Sequence, residues 1–402
     1  MRVDIRSLTV RCGFMLCLGM WCVPLQAQPA PLGEGPWEYQ TQSPAVDIQV
    51  SVVARGINHP WGMVFLPSGN ILIAERGGRL RLIRDGELEP EPLPGPPPVA
   101  EAAGGGLMDL ALHPDFTSNR WVYFTYAKGA PPPDGERYYA TTALGRGRLN
   151  EDETALEEVE DLFVADAWST NAGGHGSRLR FAPDGTLFMS SPFRRDFERP
   201  QQLDSHISKL LRLNDDGTVP DDNPFVGRAG ALPEIWSVGH RALEGIAFHP
   251  VTGELWTHEH GPQGGDEINI IHKGANYGWP LLSYGRDYDG SRVTQVPWPQ
   301  GFEEPELIWV PSIAPSGLLF YTGEEFPQWR NHVFVGGMMT GRVPGTGHLE
   351  RIEFNEHGEQ KRETLLANLK QRIRDVQQGP DGRIYVLTEE ANGALLVIEA
   401  AP

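Results

Sequence analysis

The chain has 402 residues, including 47 glycines, 35 prolines and 3 cysteines, and a formal net charge of −19. Glycine and proline make up about a fifth of it, which suits many short strands joined by turns and excludes a fold built on long helices. So acidic a surface disfavours nucleic acid and anionic lipid as partners, and no apolar run reaches the roughly 18–20 residues of a membrane span.

The first element reads as a secretory signal over residues 1–27. Arg2, Arg6 and Arg11 lead into the apolar residues 12–25, and cleavage is expected after Ala27. All three cysteines (Cys12, Cys17 and Cys22) fall inside it, so the mature chain is expected to hold neither thiol nor disulfide. That composition suits an oxidising periplasm or the exterior. Residues 1–27 carry three arginines and one aspartate, which leaves −21 on the remainder.

Residues 28–46 read as an extended lead-in, and one pattern then recurs over residues 47–400. An apolar strand runs to a proline, a turn with Gly or Asp follows, and a second apolar strand leaves it. Copies centre on Pro67, Pro114, Pro183, Pro250 and Pro380, which stand 47, 69, 67 and 130 residues apart. The long last gap holds a divergent copy over residues 317–335, so six units fit. One such sheet cannot bury both faces alone, and radial stacking around a channel solves the problem. The expected fold is all-β: a six-bladed β-propeller in a single domain, with functional residues gathered at one channel mouth from loops of several blades. A β-sandwich with coincidental turns is the alternative.

The densest polar segment is residues 258–269, with His258, Glu259, His260, the Gly261-Pro262 turn, Asp266 and Glu267. Hard carboxylates beside a turn that exposes carbonyls suit Ca²⁺. The alternating pair His258 and His260 also permits a transition metal, and a purely structural loop is the third reading. His175, in a Gly-rich loop entering a blade, is placed to act as a general base or to hold water or backbone. Arg241 precedes another blade strand. Arg372 and Arg374, two apart on a strand, face one way, and two guanidinium groups side by side call for an anion such as a carboxylate or phosphate ligand. Pairing with Asp375 or with acidic surface is the alternative.

Together these stretches resemble the soluble PQQ-dependent sugar dehydrogenases, the glucose/sorbosone dehydrogenase family, and most closely its periplasmic aldose sugar dehydrogenases. The resemblance runs from about Asn58 to Glu399. It rests on Gly104-Gly-Gly-Leu-Met-Asp109, Pro220-Asp-Asp-Asn-Pro-Phe225, Glu259-His-Gly-Pro262, Gly265-Asp-Glu-Ile-Asn269, Asn276-Tyr-Gly-Trp-Pro280 and Arg372-Ile-Arg-Asp-Val376. It implies PQQ and Ca²⁺ at the channel mouth. The Gly261 and Pro262 carbonyls would hold the active-site Ca²⁺. Arg372 and Arg374 would meet PQQ, Arg241 would face its reactive oxygen, and His175 would take the sugar hydroxyl proton. Asp266, Glu267 and Tyr277 fall at a further, structural calcium site, and Trp309 near an aromatic lining the cofactor pocket.

The sequence also departs from the family pattern. His175 and Arg178 stand three apart instead of four. Gly104 replaces a glutamine, Ala242 an asparagine, and a lysine falls near Met339. The carboxylate that supports the histidine falls near Pro192, with Asp196 close by. The first reading is therefore a periplasmic or secreted quinoprotein, monomeric or homodimeric, that oxidises an aldose or related alcohol and passes electrons to an external acceptor. No strand–Gly-x-Gly-x-x-Gly–helix unit for a nicotinamide is present. A non-catalytic, Ca²⁺-stabilised propeller that binds carbohydrate or protein is the second reading, and a metal-dependent hydrolase such as a lactonase the third.

Overall fold

The computed structural model describes residues 31–102, 104–294 and 298–402. The expected signal, with its three cysteines, lies outside the described residues. The rest forms six antiparallel sheets. Blade 1 comprises Pro60–Phe65, Ile71–Glu75, Arg79–Arg84 and Glu87–Leu88, and blade 2 comprises Leu107–Leu112, Trp121–Gly129, Ala140–Leu149 and Leu156–Val164. Blade 3 is Leu179–Phe181, Leu187–Ser190, Leu210–Leu213 and Ile235–Ser237. Blade 4 is Leu243–Phe248, Leu255–Glu259, Asp266–Ile270 and Leu307–Trp309, and blade 5 is Pro315–Phe320, Val333–Gly337, His348–Asn355 and Gly358–Leu365. Blade 6 takes Ile373–Gln378, Ile384–Thr388 and Gly393–Ala400 from the C-terminus, then Asp47–Ile57 from the N-terminus.

Each proline copy lands in the turn between the first and second strands of a blade. In blade 3 the Gly185 N–H donates to the Ala182 carbonyl (3.0 Å) and the Ala182 N–H to the Thr186 carbonyl (2.8 Å). Gly185 sits at φ +85°, a conformation glycine adopts without steric cost. The six first strands touch in cyclic order, blade 6 returning to blade 1, so they form the ring around the channel. Each hydrophobic cluster between them draws on two successive blades. Leu72, Ala74 and Leu80 of blade 1, for example, pack with Leu110, Val122 and Phe124 of blade 2. Ile48 and Val50 of the N-terminal strand share a cluster with Leu396 and Ile398 of the C-terminal strand. The ring is closed by pairing of Asp47–Ile57 with Gly393–Ala400. The lead-in does more than expected: Trp37–Gln40 adds an outermost fifth strand to blade 6.

Arg178 holds the axis. Its guanidinium donates to Asp375 Oδ1 (3.1 Å), Asp109 Oδ1 (3.4 Å), Ser316 Oγ (3.0 Å), and the carbonyls of Arg374 (2.8 Å) and Glu244 (2.8 Å). One side chain from the entry to blade 3 thus reaches blades 2, 4, 5 and 6. Among the described residues the only α-helix is Phe116–Asn119. No helix among them is long and apolar enough to cross a membrane.

Candidate active site

In every blade the first strand begins, and the second ends, at the same rim of the ring, so loop residues there converge. They enclose a cavity of about 610 Å³, within the usual range of small-molecule sites. Its wall includes His175, Arg241, Arg372 and Arg374, four of the residues singled out in the sequence, together with the replaced positions Gly104 and Ala242. Five arginines (Arg76, Arg195, Arg241, Arg372 and Arg374) face two carboxylates, Glu244 and Glu389. The wall is cationic in a chain whose net charge is −19.

The anion expected between Arg372 and Arg374 is supplied in part by the chain itself. Arg372 Nε donates to Glu389 Oε2 (2.6 Å) and Arg374 Nη2 to Glu389 Oε1 (2.5 Å). Burial pushes the Glu389 carboxyl up, but Arg374 and Arg372 win and hold it at about 2. Arg374 also lies 3.9 Å over the Trp61 ring, and its Nε has no hydrogen-bond partner. Sequence reasoning proposed Asp375 as the internal partner, but Asp375 points to the axis and receives Arg178.

Arg241 is fixed from several sides. Its Nη1 donates to the His260 carbonyl (2.8 Å) and its Nη2 to the Tyr288 hydroxyl (3.4 Å). The guanidinium lies between Phe193 (4.7 Å) and Trp279 (5.2 Å), and its buried Nε lacks a partner. A buried donor without an acceptor is costly, and an acidic ligand in the cavity would satisfy it.

His175 is buried, its ring against the Gly105 backbone, where a methyl group would fall 2.5 Å from the ring. Its Nε2 receives the Tyr138 hydroxyl (2.6 Å) and Arg194 Nη1 in close contact. Burial, then Arg194, lowers its pKa well below the ordinary value. The expected carboxylate support is not there. Both oxygens of Asp196 are taken by its own loop, through the Glu198 and Arg199 N–H groups (2.9 Å each) and Arg199 Nε (2.7 Å). A cation stands beside this histidine in place of an anion.

Of the other predicted residues, His260 also lines the cavity, and the rest lie away from it. Trp309 is packed in the core shared by blades 4 and 5, and its indole N–H donates to Glu350 (2.8 Å). Met339 is replaced in the wall by its neighbour Met338, whose sulfur faces Arg372 Nη2 at 3.4 Å. His258 and His260 hydrogen-bond to the Gly317 (2.9 Å) and Pro315 (2.8 Å) carbonyls, bracing blade 4 against blade 5. Their ring nitrogens are therefore not arranged as a metal pair.

The proposed calcium residues divide. Gly261 follows the cavity residue His260, and its N–H donates to Asp266 Oδ1 (2.8 Å). The Asp266 Oδ2 receives Ser312 Oγ (2.7 Å) and the Ile313 (2.8 Å) and Ala314 (2.9 Å) N–H groups, so both its oxygens are occupied. Glu267 sits opposite Glu259 across the strands, and burial raises both carboxyls. The Tyr277 hydroxyl donates to the Ile270 carbonyl (2.7 Å) and accepts the His272 N–H (2.8 Å). Among the described residues no group of three or more His, Cys, Asp or Glu side chains is set to hold a metal.

Sequence reasoning missed Glu244, Glu389, Tyr138 and Arg194. Glu244 stood three residues after Arg241 and carried the signal of an acid inside a strand. The others gave no local sign, since their partners are 15 or more positions away.

Comparison with known proteins agrees with this architecture. The family model described as glucose/sorbosone dehydrogenase matches residues 57–397. The aldose sugar dehydrogenase YliI of Escherichia coli is 39% identical over 356 residues, 87% of this chain and 92% of that protein. Quinoprotein glucose dehydrogenase B of Acinetobacter calcoaceticus is 29% identical over 261 residues, 60% of this chain and 54% of that one. The apo-form crystal structure of the soluble aldose sugar dehydrogenase of Escherichia coli superposes with a TM-score of 0.82 at 38% identity, covering 88% of this chain and 100% of that one.

Proposed function

The chain belongs to the glucose/sorbosone dehydrogenase family, and from that premise we propose that it oxidises an aldose or related alcohol, with PQQ as hydride acceptor and Ca²⁺ beside it. The observation that carries this reading is the cavity wall, with its five arginines against two carboxylates. PQQ is a small, planar tricarboxylic quinone. Arg372 and Arg374 suit its carboxylates through charge-assisted hydrogen bonds, and the unpartnered Nε atoms of Arg241 and Arg374 give it donors to satisfy. When bound, the quinone supplies the two-electron acceptor and Ca²⁺ polarises it.

The chain's own residues do the rest. Arg241, held by the His260 carbonyl and two aromatic rings, is preorganised to stabilise negative charge developing at its free edge. Phe193 and Trp279 keep water from that guanidinium. Phe197 and Tyr288, both in the wall and about half exposed, offer apolar faces to a sugar ring. The Gly261 and Pro262 carbonyls would be the oxygen ligands for Ca²⁺. The basic N-terminus, the apolar stretch and the acidic remainder support export to the periplasm or beyond.

Reconstitution tests the reading. The mature protein with added PQQ and Ca²⁺ is expected to bind one PQQ, seen in the quinone absorbance, and to reduce a dye with aldoses. Ligand at about 100 times its Kd raises folding stability by about 2.7 kcal/mol, visible as a higher Tm. Failure to bind, with a Tm that rises with Ca²⁺ alone, would overturn the enzyme reading in favour of a calcium-stabilised binding propeller.

A further inference from the structure

The two carboxylates in the cavity wall are held differently. Glu389 is bound by three guanidinium groups, those of Arg76, Arg372 and Arg374. Glu244, at the start of the blade 4 inner strand, has no hydrogen-bond partner for Oε2, and Arg374 Nη1 stands 3.7 Å from it. Its other oxygen lies against the backbone of Gly176, next to His175, where a methyl group would fall 2.2 Å from Oε1. A buried carboxyl oxygen without a donor is expensive, and a substrate hydroxyl is a group that would satisfy it. His175 is poorly placed for that work: its Nε2 accepts from Arg194 and Tyr138, and a neutral ring that accepts at Nε2 carries its proton on Nδ1, which has no partner of its own.

We propose that Glu244 is a catalytic residue of this chain, the general base that takes the substrate's hydroxyl proton, and that His175 is a neutral positioning residue beside it. The inference rests on the dehydrogenase reading. In the step, the substrate O–H bond breaks and its proton passes to a Glu244 carboxylate oxygen. The C–H bond on the same carbon breaks with its electron pair, the hydride goes to the quinone cofactor, and a C=O bond forms. The substrate loses two electrons and the quinone gains them.

The surroundings tune the group for this task. Arg374 from blade 6 and Arg178 from the entry to blade 3 face it and favour its charged form. Glu389 from blade 6 and Asp109 from blade 2 oppose that, with Asp375 behind Arg178 and His175 across Gly176. Burial dominates and pushes the carboxyl up to about 7. A base works best with a pKa near the operating pH, and His175 lies well below it.

The test uses PQQ- and Ca²⁺-loaded protein with an aldose and dye. Glu244→Gln is expected to lower kcat by about 10²–10⁴-fold while one PQQ still binds. Wild-type kcat should fall as pH drops through about 7, and the Glu244→Gln profile should lose that limb. Infrared difference spectra between ~pH 6 and ~pH 8, taken without substrate, should show a carboxyl band giving way to carboxylate, and Glu244→Gln should remove it. Glu244→Asp, which keeps the acid, should keep the band and recover part of kcat, and it serves if the glutamine variant does not fold. Unchanged turnover and pH profile in Glu244→Gln, with His175→Asn removing the limb instead, would overturn the assignment on a working quinoprotein. Absence of PQQ binding in the wild type would overturn the dehydrogenase reading and this assignment with it.

Discussion

Glu389 is hydrogen-bonded to three guanidinium groups at once, those of Arg372, Arg374 and, at 3.5 Å, Arg76, and that makes it the most consequential single residue in the wall for stability. Arg374 is buried and Arg372 half-buried, so loss of the carboxylate leaves a charge in a dry site. Removing one partner of a buried pair costs about 3–5 kcal/mol, which is the loss of unfolding free energy expected for Glu389→Gln in a urea titration. The acid limb gives an independent check. The folded pKa is depressed to about 2, so the stabilisation is complete above the ordinary carboxyl range near 4.5. It drains away as pH falls towards 2. That slope should be present in the wild type and absent from Glu389→Gln. The sequence carried half of this. The spacing of Arg372 and Arg374 pointed to an anion between them, but Glu389 is 15 positions beyond Arg374, and only the hairpin geometry brings it there. The same holds at His175. Its Gly-rich loop was legible as a site, whereas Arg194 as its neighbour depends on a backbone path that no local pattern encodes.

At the scale of strands and hairpins the sequence was most legible where physics is local. A proline-to-glycine turn between two apolar runs fixes a hairpin by itself, and the recurring copies mark the inner halves of the blades. The pairing of Trp37–Gln40 with Asp47–Ile57 was not legible, since no Pro-Gly turn of the repeating kind marks it. The His258 and His260 pair shows a pattern that admits two functions. Alternation placed both rings on one face, as a metal pair needs, but the neighbouring blade supplies the Gly317 and Pro315 carbonyls as acceptors. His258→Ala should therefore destabilise the protein by about 2–4 kcal/mol, through an orphaned carbonyl and a cavity. It should leave metal content unchanged by mass spectrometry. Calcium removal should behave differently. Chelation of the PQQ-loaded protein should abolish dye reduction, and Ca²⁺ but not Zn²⁺ should restore it, because backbone carbonyls at Gly261 and Pro262 are hard oxygen ligands. Restoration by Zn²⁺ would point back to the histidines.

The whole molecule depends on closing a ring, and two devices do it. One is the pairing of the N-terminal strand with the C-terminal strand, which the repeating pattern did not mark. The other is Arg178, which the sequence presented only as a misplaced member of a site motif. Its guanidinium is fully committed to Asp375, Asp109, Ser316 and two backbone carbonyls at the axis, so it binds blades to one another and leaves the mouth to Arg241, Arg372 and Arg374. Burial still pushes Asp375 up to about 6 with Arg178 present. Arg178→Met would remove the charge that pulls Asp375 down and raise it further. A carboxyl raised in the folded state stabilises fully below its unfolded pKa near 3.8, and that contribution is lost as pH rises through the folded value. The variant is thus expected to lose about 3–5 kcal/mol at neutral pH and to recover much of it near pH 5, where Asp375 can fold protonated. Thermal melts at about pH 5 and pH 8 measure this directly. An equal Tm deficit at both would show that Arg178 contributes packing alone and that the axis is not held by charge.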